Sequence, residues 1–177
     1  VVLTVHPTPV VSLDPGNYTR MLPGLTTNLT VQSSPAAATY SWFKDGIGFP
    51  AATSGSYTAT IDDQGTYHVQ VVDINGCTSS SNEITIADSA SSKLFVYPNP
   101  NTGKFQVSYY SIKGNTLART LVIYDAKGAM VLNKTFAVGK PYDRMEVDFS
   151  TMGKGIYMIN LLDYTKKRIA TGRVVVQ

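Results

Sequence analysis

The chain has 177 residues, a length that suits two domains of about 90 residues, each large enough to bury its own core. It is 43% hydrophobic and 15% charged, and its single cysteine, Cys77, rules out a disulfide within the sequence. No apolar run approaches the roughly 20 residues of a membrane-spanning helix, and a composition rich in Gly, Ser, Thr and Tyr favours strands over helices.

The net charge of +3 is unevenly spread. Residues 1–90 carry two basic against seven acidic side chains, and residues 91–177 carry thirteen basic against five acidic, so the halves hold −5 and +8. A charge step of this kind marks a domain boundary. Within the basic half only Lys166-Lys167-Arg168 cluster, as in a solvated turn, so no nucleic-acid partner is expected.

The alternating segment Val1–Val5, followed by Pro7 and Pro9, reads as the end of a preceding domain or a linker, residues 1–8. Residues 9–88 then show short β-branched and aromatic stretches at a spacing of about ten: Asn28–Gln32, Thr39–Lys44, Ser56–Ile61, Thr66–Asp73 and Ser80–Ala87. Such regular short strands predict a β-sandwich. Asp45-Gly46 and Asn75-Gly76 are read as two-residue hairpin turns, because these residues tolerate positive φ. The small, polar stretch at residues 89–93 is read as a linker. Beyond it, residues 94–177 offer seven strands: Leu94–Tyr97, Lys104–Tyr110, Leu117–Asp125, Met130–Val138, Arg144–Phe149, Gly155–Asp163 and Lys167–Val176. The fold class expected is all-β, two consecutive immunoglobulin-like sandwiches.

In the first half, Tyr40 and Trp42 share one face of a strand, and Asp63-Gln64-Gly65-Thr66-Tyr67 carries the D-x-G-x-Y pattern that leads into strand F of immunoglobulin domains. Val69 stands where the strand-F cysteine of such domains would fall, with Leu29 or Val31 opposite, so aliphatic packing is expected in place of the bridge. The region resembles the immunoglobulin- and PKD-like modules of secreted Bacteroidetes proteins. In those modules the turn cysteine pairs with one near the start. The resemblance places that partner at Leu22-Pro23-Gly24, which has no cysteine, leaving Cys77 unpaired.

In the second half, Tyr97-Pro98-Asn99-Pro100-Asn101-Thr102-Gly103 is similar to the opening of the C-terminal sorting domain of the type IX secretion system. Further elements follow in order: Tyr124-Asp125 with Gly128, then Gly153, Gly155 and Tyr157, and finally Arg173-Val174-Val175-Val176 at the terminus. Physically, Pro98 and Pro100 fix φ near −65° and push Tyr97 and Asn99 into extended geometry, while Gly153 and Gly155 read as a flexible turn. The resemblance implies export across the outer membrane or attachment at the cell surface, with passage through the periplasm. It implies as partners an outer-membrane translocon, a shuttle protein and a sortase-like peptidase, with surface lipopolysaccharide as the attachment point. The last strand, Lys167–Gln177, is expected to carry an unpaired edge for strand addition.

Catalysis is not expected: His6 and His68 both lie in the first half, and no Ser, His and Asp grouping sits on neighbouring loops. His6, His68 and Cys77 make no metal-ligand set, and no cofactor is expected. Asp62, Asp63 and Asp73 could converge on a Ca²⁺ ion but lack a calcium-loop spacing. The alternative function is an adhesin or carbohydrate-binding tail, with polysaccharide contacted by Tyr18, Trp42, Phe43 or Tyr57 of the first sandwich. The sequence reads as a fragment of a larger protein whose own activity is not encoded here.

Overall fold

The computed structural model describes residues 6–114 and 116–177, which form two compact units divided between Ser89 and Ala90. Val1–Val5, the stretch read as a leftover strand, lies outside the described residues. Both units are all-β sandwiches of immunoglobulin type.

In the first unit the chain lays down β1 (Val10–Asp14), β2 (Arg20–Met21), β3 (Thr27–Ser34), β4 (Ala37–Lys44), β5 (Ile47–Gly48), β6 (Ser56–Ala59), β7 (Gly65–Asp73), β8 (Thr78–Ser80) and β9 (Ile84–Asp88). One sheet has the order β1-β3-β6 and the other β2-β9-β7-β4-β5, with β8 against β7. Period-2 alternation drives this: Leu13, Leu29, Trp42, Tyr67, Val69, Val71 and Ile86 point inward and are buried. Burying aromatics with polar atoms requires partners for those atoms. Trp42 Nε1 donates to the Ser54 carbonyl at 2.8 Å and Tyr67 Oη to the Asp63 carbonyl at 2.6 Å. Val69 and Leu29 are both fully buried in this core.

The single strand expected over Ser80–Ala87 is two strands. Asn82 interrupts it, its amide accepting from Leu13 N–H and donating to Leu13 C=O, which ties the break to β1. Asp45 and Gly46 both have positive φ, as a two-residue hairpin demands. The Asn75-Gly76 turn is longer than expected: only Gly76 has positive φ, and Asp73 Oδ1 accepts from the N–H groups of Asn75 and Cys77.

The second unit contains β10 (Phe95–Tyr97), β11 (Lys104–Ser108), β12 (Leu117–Tyr124), β13 (Met130–Val138), β14 (Arg144–Asp148), β15 (Gly155–Leu162) and β16 (Arg168–Val176). Its sheets are β10-β11-β14 and β13-β12-β15-β16. Phe105, Val107, Leu121, Ile123, Met145, Val147, Ile159, Leu161 and Val174 fill the core. Phe149 lies edge-on to Phe105 at 5.6 Å and to Tyr157 at 5.3 Å, closing one end.

The units repeat one plan. A first strand pairs in the smaller sheet, a short segment then crosses to pair in parallel with the last strand, and a tyrosine hydroxyl reaches back four residues: Tyr67 to Asp63, and Tyr157 to the Gly153 carbonyl at 2.5 Å. Asp73, Asp125 and Asp163 each fold the turn after their strand in the same way, one carboxylate oxygen accepting from the N–H groups two and four residues on.

Candidate recognition surface

The Y-P-N-P-N-T-G run and the last strand make one interlocked structure. The Tyr97–Pro98 and Asn99–Pro100 peptide bonds are cis, and between them the chain leaves β10 and arrives alongside β16. The Asn99 side chain donates to Arg173 C=O at 3.0 Å and accepts from Val175 N–H at 2.9 Å. Asn101 continues with its backbone, donating to Val175 C=O at 2.9 Å and accepting from Gln177 N–H at 2.8 Å. The edge of β16 from Arg173 to Gln177 is therefore occupied by the chain itself. This corrects the expectation that the terminal strand offers an unpaired handle there. The reason is that side-chain and main-chain groups of Asn99 and Asn101 reproduce the spacing of a parallel strand.

Asn101, absent from the sequence-derived candidates, is the hub. It is 7% exposed; its Oδ1 accepts from Gly103 N–H at 2.7 Å and its Nδ2 donates to Pro98 C=O at 3.2 Å. The sequence signal for it was only a second Asn, directly after the Y-P-N-P run. Gly103 has φ of 106°, and a Cβ there would lie 2.8 Å from the backbone of Ser150, so only glycine fits. Its carbonyl accepts from Phe149 N–H at 2.6 Å, linking the motif to the aromatic end of the core.

The remaining candidates divide by orientation. Tyr157, Val174 and Val176 are buried, Tyr124 and Val175 half-buried, and Gly128 sits in its turn with φ of 83°. Gly153 and Gly155 have ordinary φ, and a Cβ at Gly153 would meet nothing within 4 Å, so backbone strain does not demand glycine at either place. Arg173 is exposed, and Tyr97 is 69% exposed. Tyr97 and Pro98 border an open groove of about 650 Å³ whose other walls include the polar Lys104, Gln106, Lys134, Glu146 and Asp148. Lys104 and Asp148 approach to 3.6 Å, both exposed, and the Ser150 hydroxyl and amide hold the Asp148 carboxyl below its usual range.

In the first unit the immunoglobulin signature is structural. Burial works to raise the Asp63 pKa, but bonds from the Thr60 hydroxyl and amide and the Tyr57 hydroxyl, with Lys44 nearby, outweigh it and hold the carboxyl low. Gly65 leaves room for the Lys44 stem, which a Cβ would meet at 2.7 Å and which lays its ammonium 5.5 Å from the Tyr67 ring. Asp63 and Asp73 sit at opposite ends of the nine-residue β7, roughly 27 Å apart, and cannot share a Ca²⁺ ion. The same geometry separates Leu22, next to β2 and the Gly65 end, from Cys77 beyond Asp73, so a cysteine at that stretch could not reach Cys77. Of the four aromatics proposed for polysaccharide, Trp42 is 2% exposed and Tyr57 is tied to Asp63. Phe43 stacks on His68 at 4.7 Å, and Tyr18 alone is largely exposed.

Residues 95–177 match the secretion system C-terminal sorting domain family over their whole span, and residues 7–88 match the Ig-like, CHU_C-associated domain family. Residues 95–177 are a type IX C-terminal sorting domain. Such a domain marks a protein for transport across the outer membrane or attachment at the cell surface, and implies interaction with the secretion machinery. No curated protein is a significant match to the chain. Among solved structures it is similar to dimeric latent PorU from Porphyromonas gingivalis, at 13% identity and a TM-score of 0.39, covering 96% of this chain and 20% of that one. It is also similar to a two-domain fibronectin type III segment of chicken tenascin, at 13% identity and a TM-score of 0.36, covering 93% and 98%. The chain thus spans a fifth of the length of the PorU chain.

Proposed function

We propose that the sorting domain is read by the type IX machinery through the Tyr97 groove, and that the first unit is a spacer that holds this domain clear of its cargo. Translocon, shuttle protein and sortase-like peptidase are the partners in this reading, with surface lipopolysaccharide as the final attachment. The observation that carries it is the division of labour within one motif. Asn99 and Asn101 are consumed in holding β16 and Gly103 in holding Asn101, while Tyr97 and Pro98 face solvent beside Lys104 and Gln106, where packing makes no use of an exposed aromatic. A first unit whose Trp42 is buried and whose half-buried Tyr57 is bonded to Asp63 favours a spacer over a polysaccharide-binding module. The test is a pair of substitutions, Tyr97→Ala and Lys104→Glu, in an exported reporter fusion. Loss of export with an unchanged melting temperature supports the reading, and export at the wild-type level refutes the groove. Binding of residues 1–90 to a glycan array would refute the spacer role.

A further inference from the structure

β13 stands at the end of its sheet, so its outer row of main-chain groups pairs with no strand among the described residues. The alternation is fixed by the turn that precedes it: Asp125 N–H donates to Ala129 C=O and Gly128 N–H to Asp125 C=O. Counting along the register, Leu132, Lys134 and Phe136 direct their N–H and C=O groups to β12, and Asn133, Thr135 and Ala137 direct theirs outward. The same counting makes Arg173 and Val175 outward on β16, which is where Asn99 and Asn101 bind.

The other edges of the domain are shorter, more charged or partly covered. The terminal half of β16 is covered, β10 has three residues, and β14 alternates Arg144, Glu146 and Asp148. In the first unit the strand at the position of β13 is β5, only two residues long. β13 has nine residues and one charge, Lys134. An edge of this length and composition is a template for an incoming strand.

Resting on the sorting reading, we infer that β13 is the edge at which the secretion machinery adds an extended strand of its own, one bearing an acidic or neutral side chain opposite Lys134. Charge decides against a second copy of this chain. The antiparallel register that pairs all nine residues sets Lys134 against Lys134, and like charges directly opposite are unfavourable. The four strands of this sheet hold Arg119, Lys134, Arg168 and Arg173 and no Asp or Glu, so an acidic partner meets no repulsion within them.

The test uses the full chain fused behind a reporter in a type IX-competent bacterium. Asn133→Pro and Ala137→Pro each delete one outward donor while leaving the bonds to β12, a placement proline tolerates on an edge. Each is expected to cut export roughly tenfold, the weight of one lost main-chain bond and an obstructed approach. Lys134→Glu is expected to reduce export without changing the fold. Melting temperatures of the purified chains identify variants that remain folded. Folded proline variants exported as well as wild type would overturn the inference while leaving the sorting reading intact. Failure of the wild-type fusion to leave the periplasm would overturn both. A dimer in sedimentation that Asn133→Pro dissolves would assign the edge to a second copy and overturn it as well.

Discussion

Replacing Asn101 by Ala removes two side-chain bonds from the junction between the Y-P-N-P run and β16. The Gly103 N–H that donates to Oδ1 at 2.7 Å is left unpaired in a buried site, which costs about 1–3 kcal/mol. Loss of the bond to Pro98 C=O adds about 1 kcal/mol, for a total of roughly 2–4 kcal/mol. Asn99→Ala also removes two bonds, but among exposed groups that water can satisfy, so about 1 kcal/mol is expected. Hydrogen exchange reads the effect directly, because Gln177 N–H donates to Asn101 C=O and should lose protection in the Asn101 variant. Trp42 is the single tryptophan and lies in the first unit, so its fluorescence transition serves as an internal control and should not move. A destabilisation of Asn101→Ala below about 0.5 kcal/mol, or a Gln177 amide still protected, would refute the hub role.

Gly103→Ala should destabilise the sorting domain by more than about 2 kcal/mol, since its Cβ meets backbone 2.8 Å away at positive φ; a denaturation midpoint equal to wild type would contradict this. Lys166 occupies with φ of 68° the turn position that Gly76 and Gly128 fill elsewhere, so Lys166→Gly should stabilise by about 0.5–1 kcal/mol in thermal unfolding. The Asp63–Tyr57 pair should limit the first unit at both pH extremes. With its folded pKa depressed, Asp63 contributes fully above the unfolded value of about 4 and loses that contribution as pH falls through the folded one. Tyr57, pushed up to about 12 from 10.0 by burial and by Asp63, contributes fully below pH 10 and loses it between 10 and 12. Asp63→Asn should flatten the acid limb seen by Trp42 fluorescence, and an unchanged limb would show that other groups set it.

Strands with clear alternation, such as Phe105 to Val107 in β11 or Tyr67 to Val71 in β7, were legible in the sequence because burial of one face writes itself as period two. The D-x-G-x-Y corner was legible too, since its hydrogen bond spans four residues. What escaped were contacts between distant segments. Nothing local says that Asn99 and Asn101 will lie against Arg173, Val175 and Gln177, more than seventy residues on, or that Asn82 will clamp Leu13. The terminal strand therefore read as an open edge when the chain itself covers it. β2 and β5, with two residues each, were too short to show any period.

The most direct test of the sorting assignment is a reporter carrying a Sec signal in front and residues 90–177 behind, expressed in a bacterium with an active type IX system. The assignment predicts that the reporter reaches the cell surface or the medium, and that it remains inside when those residues are removed. A folded fusion that accumulates in the periplasm while native type IX cargo is exported would contradict it.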